Sequence, residues 1–288
     1  METLHREDPG MNVSEACAAF GVSRNGYYAH RKKPQAKRRA EDAELGPEVR
    51  EAFIASRGSY GSPRLVHALQ RKGLRLGKTR IRRLMCEQGC QVARKRRFVP
   101  RTTVADGNSP VAPNQLLEHP ATSRIDEAWV TDITYLPTTE GWLYLAAEMD
   151  LHSRRILGWS TGTSLATDLV EQALERAIRG RPGAQLRELI HHSDRGCQYT
   201  SAAFRSRLNL RGIIPSMSRR GNCYDNAAME SFWATLKAEC FGTVIPATRA
   251  QARAMLFDYI ETFYNPLRLH SSLGFQSPVE FEQSLIPN

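Results

Sequence analysis

No run of 18 apolar residues occurs in the 288-residue chain, so no helical membrane span is expected. The opening stretch METLHREDPGMN has no apolar core of the kind a secretory leader needs, and a cytoplasmic location is the expectation. Cysteine is scarce and unpaired in spacing: Cys17, Cys86, Cys90, Cys197, Cys223 and Cys240 form no C-x-x-C pair. That excludes a disulfide framework and the usual twin zinc knuckles, and leaves reduced thiols; Cys86 and Cys90 are expected to be structural. Leucine heptads, internal repeats and low-complexity tracts are missing, which excludes a self-contained zipper or a solenoid. Acidic residues are in short supply only at one end. Residues 1–125 hold 24 Lys+Arg against 12 Asp+Glu, whereas residues 126–288 hold 16 against 18. Solubility does not require charge to be segregated, so a polycationic half that binds nucleic acid and a near-neutral functional half are expected.

The basic half reads as helices. Val13, Ala16, Cys17 and Phe20 recur at helical spacing, Gly21 ends that helix and Ser23 can cap the next, a helix-turn-helix outline that a plain helical hairpin would share. After the basic linker RKKPQAKRR, a helix is expected from Pro47 to Arg57 with Val49, Phe53 and Ile54 inward. Ser62 is the expected N-cap of a further helix, with Pro63 at its first position and Leu65, Val66 and Leu69 inward. KTRIRRLMCEQG gives another, with Ile81, Leu84 and Met85 as its core face and Gly89 at its end. Lys78, Arg80, Arg82 and Arg83 remain on its outside, as a helix reading double-stranded DNA needs them. The next stretch, Ala93 to Leu117, turns basic and then rich in Pro, Ser and Gly. There Arg94, Lys95, Arg96 and Arg97 are expected to follow a DNA backbone.

Beyond Arg124 the pattern changes. EAWVTDITYLP, WLYLAAEMDL and RRILGWSTG read as three strands on short turns, hence antiparallel. TDLVEQALERAIRG is an amphipathic helix, LIHHSD a strand, SAAFRSRLNLRG a helix, GIIPSMS a strand and DNAAMESFWATLKAEC a helix. Three acids stand out in this β-β-β-α-β-α-β-α order. Asp132 interrupts the first strand, Asp194 lies 62 positions on at the end of the fourth, and Glu230 follows on the last helix after 35 intervening residues. Ionised carboxylates at strand ends require compensation, and hard oxygen donors of this kind suit Mg2+ or Mn2+. Asn226 is a candidate to orient Glu230. Lys237, seven residues beyond Glu230 and so about 10 Å along the helix, is a candidate to reach bound DNA. His191 and His192 are expected to pack or to hydrogen-bond the carboxylates. Glu148 and Asp150 are the further acids nearby, with Asp150 expected to cap the turn DLHSRR or pair with Arg154.

The Asp, Asp, 35, Glu pattern, with HSDRGCQY around the second Asp and DNAAMESFWATLK around the Glu, resembles the integrase-core transposases. More narrowly it resembles the second-reading-frame product of IS-three-type insertion sequences, relatives of retroviral integrases, from about Tyr27 to Phe281. GVSRNGYY near the start and Asn265, Arg268 and His270 near the end match that family's words, whereas Pro266, Leu267 and Leu269 depart from it. The resemblance implies an α/β ribonuclease-H-like core, a mixed five-stranded sheet with helices, preceded by an all-α helix-turn-helix region. The implied divisions are 1–40, 41–92, 93–123 (linker), 124–242 (catalytic core) and 243–288. It implies Asp132, Asp194 and Glu230 as catalytic, metal-holding residues for two ions per site, cleaving element ends and transferring 3′-hydroxyl ends to DNA. A homo-oligomer on DNA in a bacterial nucleoid, and an upstream-frame partner or fusion, are also implied. A ribonuclease-H-like nuclease that hydrolyses without joining and a DNA-binding regulator are the alternatives.

Overall fold

The computed structural model describes residues 12–32, 37–92, 112–117, 122–183, 186–219 and 226–286. Two short helices open it, α1 (Val13–Ala19) and α2 (Arg24–Lys32). Gly21 lies between them at φ 64°, and Ser23 Oγ accepts a hydrogen bond from the Gly26 N–H (3.0 Å), as their sequence signals predict. Three longer helices follow, α3 (Lys37–Ala55), α4 (Ser62–Arg71) and α5 (Lys78–Glu87). Helix α3 starts well before Pro47, which lies inside it. The residues ahead of the proline, RRAEDAEL, are mostly strong helix formers and carry the helix through one missing N–H. Ile54 is 62% exposed rather than inward, and Ala52 takes the buried position. The N-cap of α4 is Gly61, not Ser62, with Pro63 in its first turn.

The expected strand order is observed. β1 (Ala128–Thr138), β2 (Gly141–Asp150) and β3 (Ile156–Gly162) pair antiparallel, and β4 (Ile190–Ser193) and β5 (Ile214–Met217) add in parallel. The sheet order is β3-β2-β1-β4-β5. Parallel neighbours need a crossover, supplied by α6 (Thr167–Arg179) before β4 and by α7 (Cys197–Thr200) and α8 (Ala202–Arg211) before β5. Leu169, Val170, Ala173, Leu174 and Ala177 of α6 are buried, as their spacing predicts. Gly158 lets this helix approach: a Cβ there would sit 2.3 Å from the Ala173 carbonyl oxygen and 2.4 Å from the Ala177 nitrogen. After β5 come α9 (Ala227–Leu236), continued by a π-helical turn at Lys237–Phe241, then α10 (Arg249–Tyr259), continued by a second at Ile260–Tyr264, and α11 (Pro278–Ser284).

The sheet is covered on both sides. Trp129, Ala146, Leu174, Phe204 and Leu208 belong to one buried cluster, under α6 and α8. The other joins Leu143 and Leu145 of the sheet to Met229 and Leu236 of α9, Leu256 of α10, and Leu65, Leu69, Ile81 and Leu84 of the N-terminal helices. A single apolar core therefore runs from the basic helices through the sheet to the C-terminal segment. Polar ties reinforce it. Arg57 meets Asp258 (2.5 Å), Arg71 meets Glu280 (2.8 Å), and the Tyr60 hydroxyl accepts from the Leu269 N–H (2.7 Å).

Candidate active site

Parallel pairing of β1 with β4 sets Trp129 beside His191 and Val130 beside His192. Two residues further along the sequence from this last pair come Asp132, inside β1, and Asp194, just past the end of β4. Strand β4 ends at Ser193 while β1 runs on, so the pair occupies the step where the parallel ladder stops. Asp132 Oδ1 accepts from the Ile133 N–H (2.8 Å) and Oδ2 from the indole N–H of Trp233 (2.9 Å). Asp194 Oδ1 accepts from the Gly196 N–H (2.9 Å). Burial, then repulsion from Asp194, pushes the Asp132 carboxyl up to about 7 against these two donors, and Glu230 adds a smaller push.

Glu230 is on the exposed side of α9 in its first turn, and partial desolvation raises its pKa. Asp132 and Asp194 are thus adjacent and Glu230 stands at the rim. Among the described residues, no three His, Cys, Asp or Glu side chains gather into a ready metal cluster. Lys237 is half-buried where α9 passes into its π-helical turn; burial lowers its pKa and the charge of Asp132 opposes that. Asn226 does not orient Glu230. Its Nδ2 donates to the Thr131 carbonyl (3.2 Å), pinning the start of α9 beside Asp132, and its buried Oδ1 has no protein partner.

Two contributors were not legible in the sequence. The Trp233 indole clamps Asp132, although its spacing with Met229 and Leu236 marks it only as part of an apolar stripe. Its place three residues after Glu230, with one ring N–H to satisfy, is the signal available. Tyr199 lies 3.3 Å from Thr131 Oγ1, and burial with the two aspartates holds its hydroxyl protonated far above the usual range. The other neighbours are structural. His191 bonds Glu148 (3.0 Å), and His192 lies between the Ser216 (2.8 Å) and Ser218 (3.0 Å) hydroxyls. Asp150 accepts from the backbone of Ser153 and Asp126 (both 2.7 Å) and so caps its turn rather than pairing with Arg154.

On α5, Arg80 and Arg83 both bind Asp42 (2.7 and 2.5 Å), and Arg83 also binds Glu87 (2.9 Å). Lys78 and Arg82 stand exposed on the same helix. Arg94, Lys95, Arg96 and Arg97 lie outside the described residues.

Family models match in three places: an integrase core domain over residues 123–223, a second integrase core domain model over 211–278, and an HTH-like domain over 39–98. The chain is 42% identical to an insertion element IS600 protein of 31 kDa from Shigella sonnei, over 93% of this chain and 97% of that one. It is 36% identical to the transposase InsF for insertion sequence IS3A of Escherichia coli, over 97% and 96%. It is 37% identical to the transposase for insertion sequence element IS904 of Lactococcus lactis, over 86% and 96%. Among solved structures, a simian T-cell lymphotropic virus intasome superposes at TM-score 0.46 and 16% identity, covering 77% of this chain and 72% of that chain. With its helix-turn-helix-like unit and integrase core aligned end to end with such relatives, the chain belongs to the IS3-type insertion-sequence transposases.

Proposed function

We propose that Asp132, Asp194 and Glu230 are the catalytic carboxylates of this transposase, cutting DNA at element ends and transferring the 3′-hydroxyl ends to new DNA. The observation carrying this reading is the nearness of Asp132, inside β1, to Asp194, just past the end of the neighbouring β4, with Asp132 pushed to about 7 by burial and by its neighbour. Such a pair resists ionising together, and a bound divalent cation would relieve that repulsion. The donors fit Mg2+ or Mn2+: all are carboxylate oxygens, two are fixed by backbone or indole N–H groups, and Glu230 can turn in from the rim. Two ions are proposed, which Asp132, Asp194 and Glu230 would hold between them. Bound there, the ions would neutralise charge on the entering and leaving oxygens of a phosphodiester.

The protein's own part is positional. Trp233 and Ile133 fix the Asp132 carboxylate, Gly196 fixes that of Asp194, and Asn226 ties the start of α9 to β1. Lys237, further along α9, is placed to meet the DNA backbone. Lys78 and Arg82, with the basic run Arg94 to Arg97, would hold the duplex, while Arg80 and Arg83 brace the helix that presents them. The chain divisions proposed are 1–40, 41–92, 93–123, 124–242 and 243–288. Two DNA ends must be held at once, so the working form is a multimer in the bacterial cytoplasm, with or without an upstream-frame partner.

The test is a Mg2+-dependent cleavage and joining assay on labelled DNA from both sides of the gene, with wild type beside Asp194→Asn. Joined product present with wild type and lost in the variant is the expected result. Cleavage without joining would replace this reading with a nuclease.

A further inference from the structure

Three stretches far apart in sequence, YGSPR, DLHSRR and NPLRLHSS, meet at one cavity of about 640 Å3 that the catalytic carboxylates do not share. Arg64 of α4, Arg154 of the β2–β3 turn and Arg268 of the C-terminal segment line it, and Glu239 is the one acid in its lining. Glu239 is already saturated. Both its oxygens accept from Arg268 (2.6 Å each), and the Tyr259 hydroxyl donates to one of them (2.8 Å). Arg64 donates only through Nε, to the Leu269 carbonyl (3.0 Å), and Arg154 has no side-chain hydrogen bond or ion pair among the described residues. Two guanidinium charges are left over in a partly enclosed space. Their field is visible on His270, whose imidazole is pushed down to about 3 by burial and then by Arg268, Arg64 and Arg154.

The backbone adds to this. Helices α4 and α9, each ten residues long, begin at the cavity wall, and neither has a side-chain cap. Positive helix ends thus reinforce the arginines. Arg154 is at φ 62°, a left-handed conformation that is strained for a residue with a Cβ and that glycine would adopt freely. A strained position occupied by a cation with no ion pair among the described residues argues for a use.

We infer that this cavity is an anion site that takes a phosphodiester group of the DNA strand, seating it on the flank of α9 away from Glu230. The inference rests on the transposase reading and deepens it: the helix bearing Glu230 would be gripped by the DNA it cuts.

The experiment uses the full chain in EDTA, with a labelled duplex from the element end titrated across a sodium chloride series. Arg154→Gln and Arg64→Gln are each expected to lower the slope of log affinity against log salt by about one, the increment of one lost phosphate contact, and Arg154→Lys to restore it. Inorganic phosphate is expected to raise the melting temperature of wild type and not of Arg154→Gln. Wild-type slopes in folded variants would overturn the inference and leave the cavity a structural joint. Phosphate stabilisation without any change of slope would also overturn it, in favour of a free phosphate compound. Should Arg64→Gln not fold, the variant Arg154→Gln, in the half-buried β2–β3 turn, decides alone. A wild type that binds no duplex would sink the functional reading itself, an outcome distinct from these.

Discussion

A carboxyl group whose pKa is displaced to about 7 keeps its proton over a range in which a free aspartic acid is already charged. Folded Asp132 therefore holds a proton that the unfolded chain releases from about pH 4 upward, and stability falls as pH rises through that window to about 7. Asp132→Asn removes the penalty. Without divalent cations the variant should melt several degrees above wild type at about pH 8 and equal to it at about pH 4, and Mg2+ should raise only the wild-type curve. A wild-type melting curve indifferent to Mg2+ would count against the metal site. His270 has the opposite sense. Its depressed pKa means that the unfolded chain takes up protons below about 6.5 while the folded one does not until about 3, so stability is lost as pH falls between those values. His270→Phe keeps the ring against Tyr264 and should flatten that acid limb in urea titrations. Trp233→Phe keeps most of the apolar stripe and deletes one charge-assisted donor to Asp132, an interaction of about 1.5–3 kcal/mol. The Mg2+ concentration for half-maximal cleavage should rise by about tenfold or more, with little change in apo melting temperature.

At the level of elements, helix α5 divides its cations between two tasks. Arg80 and Arg83 are bound to Asp42, so Arg80→Ala should lower stability more than DNA affinity. Lys78→Ala and Arg82→Ala should each reduce the salt slope of DNA binding by about one with unchanged melting. That division was hidden in the sequence, where the four charges are equivalent and Asp42 belongs to another helix. Local signals served well where they were sufficient. The apolar positions of α6, the Gly21–Ser23 break and the five strands were all readable from spacing and turn chemistry. They failed where a local rule had a competitor. Pro47 reads as a helix start, yet the residues before it propagate the helix; Ser62 reads as a cap, yet Gly61 holds that place. The fit of β3 against α6 was unreadable as well, since nothing in ILGWSTG reveals that the helix backbone leaves no room for a methyl group at Gly158. Gly158→Ala should cost about 1–3 kcal/mol or more in denaturant unfolding.

Over the whole molecule, the site was legible as residue types and illegible as contacts. Asp132, Asp194 and Glu230 could be proposed because the words HSDRGCQY and DNAAMESFWATLK around the last two resemble a family's, and not from three acids alone. The partners Trp233 and Asn226 reach β1 from about a hundred positions away, and no periodicity encodes such a meeting. The basic helices and the C-terminal segment close over the same apolar core, tied by Arg57–Asp258, Arg71–Glu280 and Tyr60–Leu269. A fragment ending at Gly242 should accordingly lose cooperative unfolding in both its helical and sheet parts, read by circular dichroism, whereas the full chain should show one transition. This closure also sets an order of events during synthesis. The C-terminal segment that closes over the core emerges after both the basic helices and the acidic strands. A nascent chain cannot close this core until that segment has emerged.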